Sequence, residues 1–288
     1  MILVMAATGE VGRATIQALI RQGTAPSQIV AAARSPNKAH GLFAPGVEIR
    51  QADYNDRASM ESSFRGIETV VLIPTKTMPA PRCVEHANAL EAARAAGVKR
   101  IIFLSLQAST PQSQFIVAPF ILFAECATRL SGMQWVFVRM SLFTDPIAEW
   151  VPELVRMGRL PYPVEQARIA YVTRGDIANS LAAIARNRNM HGEIMELTGP
   201  AALSMPELAQ TISEITHATV PFVSIPEDEY RDLCRKDHLP EEIIEILVTM
   251  YRAAEAQEFS NVTSDVESLT GTRPESVSEA ISRAWQGR

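Results

Sequence analysis

The stretch Met1–Gly23, MILVMAATGEVGRATIQALIRQG, decides how the rest of the chain is read. An apolar run, Ile2 to Ala7, meets a cluster of small residues, Ala6, Ala7, Thr8, Gly9 and Gly12, and then helical spacing from about Gly12 to Gln22. Strand, tight turn and helix together can hold a pyrophosphate. Free backbone N–H groups and the positive helix end face the anion, and a side chain in the turn would push it away. The spacing is small-x-x-Gly-x-x-Gly, from Ala6 through Gly9 to Gly12. Gly9 would allow close approach of the phosphates, and Gly12 would let the helix sit tight on the strand. Ala6 stands where the first glycine is expected, which requires it to keep φ negative. Glu10 puts a carboxylate near the expected phosphates, which is unfavourable unless it points to solvent. Two glycines three apart also serve plain strand–helix geometry; at the head of a β-α-β series they point to a dinucleotide.

Such a series follows. Gln28–Arg34, Val47–Tyr54, Ile67–Pro74, Val98–Leu106 and Gln134–Met140 read as further strands. Helical patterns lie between them at Arg57–Gly66, at Cys83–Gly97 and in LFAECATRLSG. Strands apolar throughout suit a parallel sheet covered on both faces. The expected class is α/β, a Rossmann-type doubly wound parallel sheet with a smaller helix-rich C-terminal part. The rhythm breaks at SLFTDPIAEWVPELVRMGRLPYPV, Pro-rich and expected to be irregular. A short strand, a helix starting near Thr173 and a last strand at Glu193–Gly199 follow, and from Ser204 the chain reads as mostly helical. The division this suggests is a nucleotide-binding domain over 1–145, rejoined by 167–199, and a substrate-side domain over 146–166 and 200–288.

Composition narrows the function classes. Of 288 residues, 47% are hydrophobic and 20% charged, as in globular rather than disordered chains, and the net charge of −5 argues against nucleic acid as a main partner. Cys83, Cys126 and Cys234 form no pair or metal motif, so three partly buried, reduced thiols in a cytoplasmic protein are the simplest reading. No signal peptide is evident, and the longest apolar run, Phe115–Ala124, is too short to span a bilayer. No histidine shows metal spacing, and none has a partnered acid or nucleophile in the sequence. The Met, Leu and Ile stripe of PEEIIEILVTMYRAAEA is core or oligomer contact, which leaves a homodimer open.

The end of the second strand chooses between cofactors. NAD-preferring turns place an acidic residue there; this chain has Arg34, with Lys38 a helical turn later. A guanidinium suits the 2′-phosphate of NADP, so NADP(H) is expected over NAD(H), against the plainer reading of a solvated loop arginine. Asp53 either reaches the adenine amino group or caps the turn that follows. Asp176 reads as a helix cap, and Arg139 either orients the cleft or, the favoured reading, pairs with Asp145.

AATGEVG, AAARSPNKA, VRQADYND, GIETVVLIP, AARAAGVKRIIFLS and FVRMSLFTD, in that order, resemble the NmrA-like atypical short-chain dehydrogenases. Within them, the subgroup of NAD(P)H:quinone oxidoreductases and triphenylmethane reductase is the most similar. IAYVTRGDIA, EIMELTGP and SMPELAQTISEIT extend the likeness over nearly the whole chain. The family pattern has glycine where this chain has Ala6. The resemblance implies an NADP(H) site at Thr8, Gly9, Glu10, Val11, Gly12, Arg34 and Asp53, and Ala6, Lys38 and Tyr54 beside them are expected to complete it. It also implies that Ile73, Pro74 and Thr75 line the nicotinamide half, and that Ser105 falls at the superfamily's active-site serine.

Ordinary short-chain dehydrogenases protonate a carbonyl oxygen with a Tyr–Lys pair. The helix that would carry it, in FIVAPFILFAECATRLSG, offers only Glu125, Cys126 and Arg129 as ionisable groups. Two readings follow. One is an enzyme that only delivers hydride, to a quinone or a conjugated cation, with Phe115, Phe120 and Phe143 as an aromatic substrate wall. The same aromatics serve equally as core or dimer face. The other reading is a catalytically silent NADP(H)-binding regulator.

Overall fold

The computed structural model describes residues 1–287. The elements open as β1 (Ile2–Val4), α1 (Glu10–Arg21), β2 (Ile29–Ala33), α2 (Pro36–Ala39), β3 (Glu48–Gln51) and α3 (Arg57–Ser63). They continue as β4 (Thr69–Leu72), α4 (Pro79–Ala95), β5 (Arg100–Leu106), α5 (Ala118–Leu130) and β6 (Gln134–Met140). Then come α6 (Asp145–Met157), β7 (Leu160–Tyr162), β8 (Arg168–Ile169), α7 (Arg174–Arg186), β9 (Glu193–Leu197) and β10 (Leu203–Ser204). The chain ends with α8 (Met205–Thr216), β11 (Phe222–Ser224), α9 (Glu227–Lys236), α10 (Glu241–Glu255), α11 (Asp265–Thr270) and α12 (Val277–Gln286).

Seven strands form one parallel sheet in the order β3-β2-β1-β4-β5-β6-β9. Successive side chains of a strand point to opposite faces, so Leu3 and Met5 enter one core while Val4 enters the other. The first core packs β1–β6 against α3, α4 and α5 through Met60, Phe64, Leu90, Phe120 and Ile121. The second packs the opposite face against α1 and α7 through Ile16, Leu19, Ile177, Leu181 and Ile184. This is the expected doubly wound Rossmann-type fold. The strand order reverses between β1 and β4, so their carboxyl ends diverge and leave a crevice.

The Pro-rich stretch is not irregular: it forms α6 and β7. Pro146 sits in the first turn, where its missing N–H costs nothing, and Ile147, Ala148, Val151 and Leu154 make a buried stripe. That burial tolerates Pro152 inside the helix, and Gly158, at φ 65°, ends it in the left-handed conformation. Composition hid an amphipathic helix. Beyond it β7 pairs with β11 and β8 with β10, and Tyr162 of β7 stacks on Tyr251 while Tyr230 meets both edge-on. The first core runs on into this region through Ile147, Leu154, Leu208, Ile212, Ile244 and Val248, so one apolar interior joins the α3–α5 layer to the later helices.

Two local corrections bear on the site. Thr173, not Asp176, is the N-cap of α7, accepting the Asp176 N–H at 3.1 Å. Asp176 lies at N3, where its carboxylate accepts from Thr173 Oγ1 and the Glu275 N–H, and burial raises its pKa. Arg139 pairs with Glu125 of α5, not with Asp145. Asp145 instead accepts the backbone N–H of Arg174 at 2.8 Å.

Candidate active site

The turn after β1 is built by the ladders on either side of it. Met5 N–H bonds Val71 O and Ala7 N–H bonds Ala32 O, each at 3.0 Å, so the backbone stays in the sheet up to Ala7. Between them Ala6 adopts φ 50°, the left-handed region, contrary to the negative φ expected for a non-glycine residue. Its carbonyl, turned inward, accepts the Gly9 N–H at 2.9 Å and closes the turn. Helix α1 begins at Glu10, two residues earlier than the spacing suggests, with Gly9 as an N-cap that offers no side chain. The first-turn N–H groups therefore have neither a helical acceptor nor a capping side chain. A Cβ on Gly12 would lie 2.4 Å from Ala6 O and 2.9 Å from Ala7 Cα, so only glycine fits. Thr8, Gly9 and Glu10 are exposed, Val11 is half-buried, and this face opens on the crevice between β1 and β4.

Around that crevice the strand ends bring the other expected residues. Arg34 and Lys38, just past β2, are exposed, and neither has an ion-pair partner among the described residues. Asp53 accepts the Asn55 N–H at 2.9 Å, so one carboxylate oxygen holds the turn, while Asp56 caps α3. Tyr54 is buried and donates from its hydroxyl to Ile73 O at 2.8 Å, tying the exit of β3 to that of β4. Burial, with Glu85 nearby, pushes its phenol well above the usual range.

Past β4, Thr75 and Thr77 both donate to the buried carboxylate of Glu85. Arg82 binds Thr77 O and lies over the Phe120 ring. Pro74, Thr75, Arg82, Glu85, His86 and Phe120 line a recess of about 10 Å³, room for one water. His86 has a partner the sequence did not show. Its Nε2 lies 2.9 Å from Thr128 Oγ1, and because Thr128 gives its own proton to Ala124 O, the imidazole donates. Burial lowers the His86 pKa to about 4, so the ring is neutral at physiological pH.

Ser105 is fully buried, and its hydroxyl donates to Glu125 Oε1 at 2.7 Å. Phe115 and Phe120 are buried too, Phe115 against Phe259 and Phe120 against His86 and Phe103. Phe143 is half-buried beneath the Arg174 guanidinium, 5.6 Å from its ring centroid. Cys126 is exposed, Cys83 half-buried and Cys234 buried.

Glu10 does not simply point to solvent, for Arg174 Nη2 meets its Oε2 at 2.8 Å. Glu85, Arg82, Thr77 and Arg174 were not singled out from the sequence. Arg82 and Glu85 do sit one helical turn apart on α4, a spacing that could have flagged them. Nothing local ties Arg174 to Glu10. No group of His, Cys, Asp or Glu among the described residues could hold a metal ion. No described helix is long and apolar enough to cross a membrane.

The chain is 28% identical to quinone oxidoreductase 2 of Escherichia coli over 286 residues, covering 99% of each chain. A crystal structure of that bacterium's NADPH-dependent quinone oxidoreductase in complex with NADPH superposes with a TM-score of 0.93 at 27% identity, covering 99% of this chain and 100% of that one. Triphenylmethane reductase of Citrobacter sp., complexed with NADP(H), superposes at 0.92 with 28% identity, again covering 99% and 100%. The profile of the NmrA-like family matches residues 1–279. This chain belongs to the NmrA-like family.

Proposed function

We propose that this protein is an NADP(H)-dependent oxidoreductase that delivers hydride to a quinone or a similar conjugated aromatic acceptor without a Tyr–Lys pair. One observation carries the reading. At the switch point of the sheet the Ala6–Gly12 turn presents uncapped N–H groups and a glycine cradle that a single Cβ would fill, with Arg34 unpaired beyond β2. The similar reductases crystallised with NADPH and NADP(H) support the same cofactor here.

The residues divide the work. The N–H groups of Glu10, Val11 and Gly12 bind the pyrophosphate, Thr8 and Gly9 leave room for it, and Ala6 sets the turn. Arg34, with Lys38, takes the 2′-phosphate; Asp53 and Tyr54 shape the wall beside the adenosine half. Ile73, Pro74 and Thr75 line the nicotinamide half, with Ser105 behind them as a support held by Glu125. When bound, NADPH supplies a hydride. The chain orients the acceptor between Thr75 and the aromatic side of the crevice, with Phe143 on its rim and Phe115 and Phe120 backing it. Reduction of a quinone places charge on a delocalised oxygen, so solvent suffices as the proton source and positioning does most of the work. The helices after 200, with 146–166, form the other wall, opposite the nucleotide-binding part over 1–145 and 167–199.

The experiment is a fluorescence titration with NADPH and NADH, followed by NADPH oxidation against a panel of quinones and cationic dyes. Tight NADPH binding with turnover above the free-solution rate supports the enzyme. Binding with a silent panel favours an NADP(H)-dependent regulator instead. Failure to bind either nucleotide overturns both.

A further inference from the structure

Glu10 opens α1 and shares the field of the first-turn N–H groups, the place where the proposed site needs to attract an anion. A free carboxylate there would stabilise the helix and repel the pyrophosphate with the same charge. The structure pairs it with a guanidinium from a helix that begins 164 residues later in the chain. Arg174 Nη2 meets Glu10 Oε2 at 2.8 Å, and Arg174 Nη1 meets Glu149 Oε1 of α6 at 2.6 Å. The Arg174 backbone N–H is held by Asp145, and its guanidinium rests on the Phe143 ring. Its side chain is 18% exposed against 56% for Glu10. Arg174 is thus anchored by α6 and by the segment after β6, and Glu10 is the partner at the open rim.

We infer that Arg174 is a positioning residue for the dinucleotide: it holds the Glu10 carboxylate and offsets part of its charge beside the phosphate-binding turn. This rests on the proposed function. Without Arg174, the Glu10 charge is left unpaired beside the pyrophosphate, and affinity falls through Glu10 rather than through any lost contact with the cofactor. The pair also joins the cofactor turn to the Phe143 rim and to α6, so cofactor and acceptor sides share one cation.

The test is a double-mutant cycle on NADPH affinity, read by fluorescence titration at low and high salt with thermal melts as folding controls. Arg174→Ala is expected to weaken binding about tenfold, the scale of one unpaired charge beside the phosphates. Glu10→Gln is expected to bind as tightly as wild type or more so, and Glu10→Gln with Arg174→Ala to recover most of the loss. The Arg174→Ala deficit should shrink at high salt, because screening weakens the repulsion. A double variant as weak as Arg174→Ala overturns the inference and leaves the proposed function standing. Wild type that binds no nucleotide removes both. Should Arg174→Ala fail to fold, Glu10→Gln alone decides, since a tenfold loss there is incompatible with the inference.

Discussion

Arg139 of β6 grips Glu125 of α5 with both arms, Nε to Oε1 at 2.9 Å and Nη2 to Oε2 at 2.7 Å. The carboxylate is 1% exposed and also accepts from Ser105, which stands opposite Arg139 in the β5–β6 register. The hydrogen bonds to Glu125 raise the Arg139 pKa above its ordinary value. Removing one partner strands the other's charge. Glu125→Leu is expected to cost about 3–5 kcal/mol, and Glu125→Leu with Arg139→Met distinctly less. Urea unfolding of both variants checks this; equal losses would show that the stranded guanidinium carries no penalty.

Ala6 carries a left-handed backbone at φ 50°, a conformation that costs a non-glycine residue about 1–2 kcal/mol. Ala6→Gly relieves it, less a part returned to the unfolded chain's extra freedom. A gain of about 1 kcal/mol is expected, visible as a higher melting temperature. A loss of stability would mean that the Ala6 methyl packs better than the backbone suffers.

Gly12→Ala puts a methyl 2.4 Å from Ala6 O, against backbone that cannot swing aside as a side chain would. Helix α1 must shift off β1, at a cost of about 2 kcal/mol or more, and the turn loses its shape. Both the urea midpoint and NADPH affinity are expected to fall. An unchanged affinity would place the phosphate site elsewhere.

Arg34→Ala separates the cofactors. A charge-assisted contact to the 2′-phosphate is worth about 2 kcal/mol, so NADPH affinity should drop roughly thirtyfold while NADH binding is unmoved. Parallel titrations with both nucleotides decide it, and equal losses for both would mean a structural effect.

His86 gives a pH signature. Its pKa is about 4 in the folded chain against an ordinary value of 6.5, because burial disfavours the charged ring. Above 6.5 the ring is neutral in both states and its contribution is complete. As pH falls from 6.5 to 4 the unfolded chain takes up a proton that the native chain refuses, and about 3 kcal/mol is lost. Chemical denaturation across that range should show the decline, and His86→Gln should flatten it.

The Rossmann order was legible because its signals are local. Apolar runs of strand length, Gly12 directly after one of them, and Gly97 closing a helix each fix nearby backbone without help from elsewhere. The helix α6 was not legible, since Pro146, Pro152 and Pro161 suggested loop while a buried stripe at helical spacing decided otherwise. Asp176 and Arg139 were read with partners near in sequence. Asp176 in fact also binds Glu275, 99 residues on, and Arg139 binds Glu125 of the preceding helix.

The sequence by itself determined the strand–turn–helix unit, the parallel sheet and the place of the Ala6–Gly12 turn, because backbone preference and hydrophobic period act within a few residues. Only the tertiary structure decided which polar groups meet: Arg174 with Glu10, Arg139 with Glu125, and Thr75 and Thr77 on Glu85. It also placed Ala6 in the left-handed region, since the ladders to Val71 and Ala32 leave its peptide no other path. Pairing strength depends on separation and burial, and neither is written along the chain.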